Sequence, residues 1–427
     1  MSTTSVSSWW LGSRRSRGSR ARSPAPWCTS RRERHLEHAT GIGTRAVHPR
    51  RPPPQDGTPV APVLDQSSTY SFSDGAAFAK ASSEKVGAGY VYTRWANPTI
   101  DAFEAAVADL EGADDAEAFA SGMGAISAVF LGLCSSGDKI ASARQLYGNT
   151  YSILSGRLER YGITTEFADV HDLEDVRAAA AGAKLLYCET IGNPRLDVAD
   201  LPALAAIARG EGIPLVVDNT FASPVLCRPL EHGASLVVHS ATKYLGGHHD
   251  LIGGIVCGEP ALVDAVRAVA RDFGATFSPF NAWLSLRGIA TLHLRVERSS
   301  TSALAIANAL LGHSSIEKVY YPGLPTDPNN ALAEGLLEGK GGGTLGFDVG
   351  GGRERVSYFQ DSLRIVKAAA SLGGTHSLIV HAASITHTQL SDEELVAAGI
   401  GPGFCRLSVG LEDPDDLIED LISALDA

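Results

Sequence analysis

The chain lacks the markers that would assign its class at once. Its six cysteines (Cys28, Cys134, Cys188, Cys227, Cys257 and Cys405) form no CxxC pair. That excludes the usual zinc-ribbon and redox spacings, and the thiols read as reduced packing residues with no disulfide and no metal. No apolar run approaches the ~18 residues needed to span a bilayer, so no membrane partner is expected. Basic residues are in deficit, 36 against 48 acidic ones, for a formal net charge of −12. Nucleic acid is therefore excluded as a main partner, because phosphate binding needs clustered lysine and arginine. No GxGxxG opens a strand and helix, against a dinucleotide-binding dehydrogenase. The glycine-rich EGKGGGTLG (338–346) lacks the GxxxxGK[ST] order and leads into a strand pattern rather than a helix.

What remains is ordinary for a globular, cytoplasmic enzyme of two to three domains: 427 residues, 44% hydrophobic and 20% charged. Residues 1–43 stand apart, because SRRSRGSRARSPAPW and SRRERHLEH are rich in arginine and serine and poor in acids. The segment reads as a disordered basic tail, although organellar transit peptides share that composition. RPPPQDGTPVAP then reads as an extended arm.

From about residue 101, amphipathic helices alternate with short apolar strands, which predicts an α/β domain with a mostly parallel sheet covered on both faces. Strands are expected at 139–143, 163–169, 184–190, 214–220, 235–240 and 253–258, and a glycine-terminated helix at 201–212. Past residue 294 the alternation breaks down. A helix ending near VYYPG, strands around TLGFDVGG, THSLIV and FCRLSVG, and a last helix in LEDPDDLIEDLISALDA predict a smaller C-terminal α+β domain over 295–427. Residues 44–100 form an N-terminal arm.

Four places can carry chemistry. Lys243, in HSATKYLGGHHD, follows the buried run SLVVHSAT, where an ordinary surface lysine is out of place. Asp218 ends the apolar strand IPLVVD, where a carboxylate is costly without a partner; it is either a ligand-facing group at a strand end or a turn-capping residue. Ser121, Gly122 and Met123 begin a helix whose backbone amides offer an anion site or only a cap. Tyr147 is an aromatic platform or a core residue. A carbonyl cofactor held as a Schiff base needs such a lysine, a carboxylate for a pyridinium nitrogen, and a phosphate cup of amides and hydroxyls such as those of Ser240 and Thr242.

VVDNTFASPVL with VVHSATKYLGGHHDLIGG resembles the Cys/Met-metabolism family of pyridoxal-phosphate enzymes. TRAVH, YVYTRWANPT, ASGMGAI, LYGNTY, PFNAWLSLRG and CRLSVGLEDPDDLI extend the resemblance from about Thr44 to the C-terminus. The resemblance implies PLP-dependent fold type I, pyridoxal 5'-phosphate as cofactor, an amino-acid substrate, and a homo-oligomer built as a dimer of dimers with sites shared across each dimer. Lys243 is then the aldimine lysine, Asp218 the partner of the pyridine nitrogen, and Tyr147 the ring-stacking residue. Gly122, Met123, Ser240 and Thr242 hold the phosphate, and Tyr92 and Arg94 reach that of the neighbouring subunit. Arg406 grips the substrate α-carboxylate, as a bidentate guanidinium can, with Ser371 beside it. A vinylglycine-type intermediate then leads to γ-elimination or to γ-replacement.

The chain departs from the family pattern where subgroups differ. Ser152 stands where cystathionine-handling members usually carry arginine, which argues against a dicarboxylic substrate. Asn149 stands where methionine γ-lyases carry cysteine, His376 where many γ-lyases carry glutamate, Ala382 replaces a proline, and Trp95 a smaller residue. The expectation is γ-elimination from an amino acid with an uncharged γ-leaving group, with γ-replacement as the alternative and a non-catalytic binding module as the remote one. His376 either tunes proton transfer or is satisfied by backbone. His248, His249 and Asp250 are turn residues rather than metal ligands.

Overall fold

A computed structural model describes residues 41–49, 56–83, 89–385 and 400–427. The expected basic tail therefore lies, through residue 40, outside the described residues. Seven strands form the large sheet: β1 Asp115–Phe119, β2 Lys139–Ala143, β3 Thr164–Ala168, β4 Leu185–Glu189, β5 Leu215–Asp218, β6 Leu236–His239 and β7 Gly254–Gly258. Their order is β1-β7-β6-β5-β4-β2-β3. β7 runs antiparallel to both neighbours and the remaining ladders are parallel.

The expected strands and the mostly parallel sheet are present, and one strand is new. β1 (DAEAF) carries acids at two of five positions and little β propensity. Pairing with β7 places it at the sheet edge, and a buried guanidinium balances its charge. Arg267, on helix Pro260–Phe273, meets Asp115 at 2.8 Å and also binds Glu117 and Asp264. Removing the guanidinium would strand the buried Glu117 carboxylate and leave the partly buried Asp115 without its cation. Arg267→Met is accordingly expected to cost about 3–5 kcal/mol, read as a lower urea midpoint at unchanged slope. β1 leads directly into Ser121 and Gly122, so this cluster also fixes one wall of the site described below.

The helices are punctuated as their sequences dictate. Asn97 caps helix Pro98–Glu111, accepting the amides of Thr99 and Ile100, with Pro98 at its first position. Helix Leu201–Glu211 is capped by Asp200 and stops at Gly212, whose φ of 68° lies in the left-handed region that glycine tolerates best.

The C-terminal sheet contains β8 Ile316–Tyr320, β9 Thr344–Val349, β10 Lys367–Ala368, β11 Leu378–His381 and β12 Phe404–Ser408, in the order β10-β11-β12-β9-β8. Only β10 and β11 pair in parallel. The helix expected to end near VYYPG instead ends at Leu310, and IEKVY is strand β8. The local pattern suits either state, and pairing with β9 decides. Helix Leu292–Leu310 serves both cores: Leu292 and Val296 pack in the large one, and Ala303, Ile306, Ala307 and Leu310 in the small one. Among the described residues no helix is long and apolar enough to cross a membrane.

Candidate active site

β4, β5 and β6 are apolar and covered on both faces, and their carboxyl ends deliver Glu189, Asp218 and His239 in succession. This is where parallel sheets place ligands. Glu189 and Asp218 are direct neighbours across the β4–β5 ladder. Burial pushes the Asp218 carboxyl up from its ordinary range, while the hydroxyl and amide of Thr220 and the charge of His239 pull it back. The Thr220 amide donates to Asp218 Oδ1 at 2.9 Å. Burial and the charge of Asp218 push the Glu189 carboxyl well up. Its two oxygens accept the backbone amides of Tyr147 (2.6 Å) and Asn193 (3.1 Å).

Beyond β6 the chain turns back, with the Lys243 amide donating to the Ser240 carbonyl at 3.1 Å. The Lys243 amine is pulled down to about 8, first by burial and then by the charge of Arg406. Its Nζ donates to Ser371 Oγ at 3.1 Å. Thr242 is tied to the chain, since its hydroxyl accepts the Gly253 amide at 3.0 Å and lies 3.2 Å from the Gly253 carbonyl. The Ser240 amide donates to Thr220 Oγ1 at 2.8 Å. Facing this turn is the start of helix Gly122–Leu133, where Ser121 Oγ accepts the Gly124 amide at 3.0 Å. A Cβ on Gly122 would come within 2.8 Å of Ser240 Cβ, so only glycine lets the helix start approach the turn. Met123, the next residue, packs partly buried against the large core.

Arg406, on β12, enters from the C-terminal sheet and is 4% exposed. Its Nη1 donates to Asn193 Oδ1 at 2.7 Å and its Nη2 to the Ser371 carbonyl at 3.3 Å, with the Phe221 ring 5.8 Å away. Its buried Nε has no hydrogen-bond partner among the described residues. Ser371 thus links Lys243 to Arg406 through two different atoms. Tyr147 is exposed, and its hydroxyl accepts from Asn149 Nδ2 at 3.1 Å.

The remaining sequence candidates lie apart from this cluster or at its margin. Ser152 is exposed. Tyr92 is also exposed, with the Arg94 guanidinium over its ring while Arg94 Nη1 donates to the Arg271 carbonyl at 2.6 Å. His376 Nδ1 lies 3.0 Å from Thr375 Oγ1 and its ring 6.2 Å from that of His249. His248 Nδ1 meets the Gly246 carbonyl at 2.8 Å. Among the described residues no group of three or more His, Cys, Asp or Glu side chains is placed to hold a metal ion. Sequence reasoning missed Glu189, Asn193 and Phe221. The available signal was ETIGNP, an apolar strand ending in a carboxylate as IPLVVD does.

The residues present fit pyridoxal 5'-phosphate. A buried amine, easily deprotonated, stands near a strand-end carboxyl whose burial calls for a cation, and a glycine-only helix start supplies amides for an anion. The guanidinium nitrogen of Arg406, left without an acceptor among the described residues, suits a carboxylate partner.

Comparisons with known proteins agree. The family model described as Cys/Met metabolism PLP-dependent enzyme matches residues 43–426. The O-succinylhomoserine sulfhydrylase of Pseudomonas aeruginosa is 41% identical over 94% of this chain and 99% of its own. The L-methionine gamma-lyase of Pseudomonas putida is 40% identical over 91% of this chain and 98% of its own. Among solved structures, the cystathionine gamma synthase of Xanthomonas oryzae pv. oryzae superimposes with a TM-score of 0.84 at 37% identity, over 91% of this chain and 98% of that one. The architecture is that of PLP-dependent fold type I. A strand-end carboxyl, a buried lysine and a domain-crossing arginine thus find their context: the chain belongs to the Cys/Met metabolism family of PLP-dependent enzymes, whose members are carbon–sulfur lyases and sulfhydrylases.

Proposed function

We propose that the enzyme catalyses γ-elimination from an L-amino acid whose γ-leaving group is uncharged, such as methionine or O-acetylhomoserine, and that it works as a homo-oligomer. The observation that carries this reading is that the neutral Asn149 hydrogen-bonds the Tyr147 phenol, while the exposed Ser152 on the same helix brings no charge.

When bound, pyridoxal phosphate supplies an electron sink for the bonds at the substrate Cα. Arg406 binds the α-carboxylate through its guanidinium, and Ser371 holds both Arg406 and Lys243 in register with the substrate. Nζ of Lys243 takes the Cα proton, a task suited to an amine that is substantially neutral near pH 8. The Tyr147 phenol, oriented by Asn149, donates a proton to the departing γ-group. Asp218 would pair with the ring nitrogen. Gly122, Met123, Ser240 and Thr242 surround the phosphate, and Tyr92 and Arg94 reach from the arm toward a neighbouring subunit's site. His376, exposed at the margin, contacts Thr375 and His249 and takes no step.

A second reading, γ-replacement with a thiol, is favoured by the similarity to the P. aeruginosa sulfhydrylase. Purified holoenzyme should be incubated with methionine, O-acetylhomoserine and O-succinylhomoserine, with and without added thiol, and the products identified by mass spectrometry. Ammonia and a 2-oxo acid from an uncharged substrate without thiol are expected. Formation of product only when thiol is present would transfer the assignment to replacement. Ser152→Arg is expected to lower the KM for O-succinylhomoserine by about tenfold, the worth of roughly one charge-assisted contact.

A further inference from the structure

Directly under the site lies a buried acid–base pair that the proposed chemistry does not use. Glu111 is the last residue of helix Pro98–Glu111 and is fully buried, as is His239 at the end of β6. His239 Nε2 and Glu111 Oε1 are 2.6 Å apart. A carboxylate there is costly twice over, because it is removed from water and sits at the negative end of a helix. Its second oxygen has no hydrogen-bond partner among the described residues. Replacing such a pair by apolar residues is commonly neutral or stabilising, so stability alone does not account for it.

Its connections point upward. Glu111 Oε1 also accepts from Asn219 Nδ2 at 2.9 Å, and Asn219 Oδ1 accepts from Thr190 Oγ1 at 2.8 Å. The Asn219 amide donates to the Val238 carbonyl at 2.9 Å. Asn219 follows Asp218, and His239 precedes Ser240. One carboxylate oxygen therefore ties together the strand ends that carry the ring-facing carboxyl and one wall of the glycine cradle. Besides the pair itself, the titratable groups beside it or beside Asp218 include Glu189, Tyr187, Cys227 and Cys257; burial pushes the phenol and both thiols up, so they stay neutral, and pushes the Glu189 carboxyl well up. Of these groups only His239 can hold a positive charge, and that charge favours an ionised Asp218.

We propose that Glu111 and His239 are positioning residues for the cofactor: a buried ion pair that fixes the ends of β5 and β6 and sets the histidine's charge behind the Asp218 carboxyl. This rests on the placement of Asp218 at the ring nitrogen proposed above, and holds equally for elimination or replacement.

The test is holoenzyme reconstituted with pyridoxal phosphate carrying the heavy nitrogen isotope in its ring, its nuclear magnetic resonance signal reporting ring protonation. Glu111→Gln keeps an acceptor for Asn219, and His239→Gln keeps a donor for Glu111; each removes one charge. Both are expected to move the ring signal toward that of unprotonated pyridine and to lower kcat by about tenfold, with KM changed by less than about twofold. Asp218→Asn is the reference. If that variant leaves the signal unmoved, the placement of Asp218 itself is wrong. If it moves the signal while both glutamine variants keep the wild-type signal, the pair is merely structural and the proposal is overturned. Should either single variant fail to fold around its stranded charge, the double variant Glu111→Gln/His239→Gln carries none, and its ring signal decides in the same way. A neutron structure of the wild-type holoenzyme is expected to show hydrogens on both His239 ring nitrogens; a singly protonated ring would overturn the proposal independently of any variant.

Discussion

Lys243→Ala is expected to abolish the visible absorbance of the bound cofactor and to lower kcat by about 10⁵-fold, a loss of roughly 7 kcal/mol of transition-state stabilisation. The size follows from the two tasks proposed above for one atom, covalent attachment of the cofactor by Nζ and movement of the substrate proton, for which no described neighbour is a substitute. Ser371 Oγ and Arg406 are the polar groups beside it, the first a hydroxyl and the second a cation. The environment also sets a pH dependence. An ordinary lysine amine is less than about 1% neutral at pH 8, whereas Lys243, pulled down to about 8, is about half neutral there. Only the neutral amine attacks an aldehyde, so cofactor uptake by the apoprotein is expected to accelerate as pH rises through about 8 and to level off above it. Stopped-flow absorbance would record this directly. A rate that keeps rising tenfold per pH unit to pH 10 would show an unperturbed lysine, and an alanine variant retaining the band would remove Lys243 from the site.

Legibility in the sequence tracked how local each interaction is. β4, β5 and β6 are apolar runs ending abruptly in Glu, Asp and His, and both the strands and the oddity of Asp218 and Lys243 were visible in single stretches. β1 was not visible, because DAEAF becomes a strand only through β7 and through Arg267, which lies some 150 residues away on another helix. IEKVY likewise owes its strand to β9. The same rule holds inside the site. Glu189 earns a place by accepting the amides of Tyr147 and Asn193, one of them 42 residues distant, and a fully buried histidine in HSATKY gives no hint that its partner is the last residue of a helix 128 positions earlier. Family motifs named candidate residues from separate stretches, while the register of β4 against β5 makes Glu189 and Asp218 adjacent. What neither motif nor pattern carried was the second layer, where each contact joins distant segments.

Arg406→Lys is expected to raise the KM for the amino-acid substrate by about 100-fold, roughly 2.7 kcal/mol, while the visible band of the bound cofactor is retained. The guanidinium is nearly inaccessible, its Nη atoms are spent on the neutral Asn193 and Ser371 oxygens, and its Nε is orphaned in the protein interior. Burial pulls it down to about 10, showing how poorly its charge is compensated before an anion arrives. In the role proposed for Arg406, an α-carboxylate entering beside it neutralises that charge and supplies the missing acceptor, so substrate binding relieves a cost already present in the fold. Lysine has neither the fork to grip a carboxylate nor the reach to hold Asn193 and Ser371 at once. It also loses its proton far more readily when buried. The variant's KM should therefore climb further as pH rises into the alkaline range, whereas the wild-type guanidinium stays charged over the same interval below its value of about 10. A KM within threefold of wild type at all pH values would mean that the α-carboxylate is held elsewhere, and that Arg406 serves only to join Asn193 to Ser371 across the two sheets.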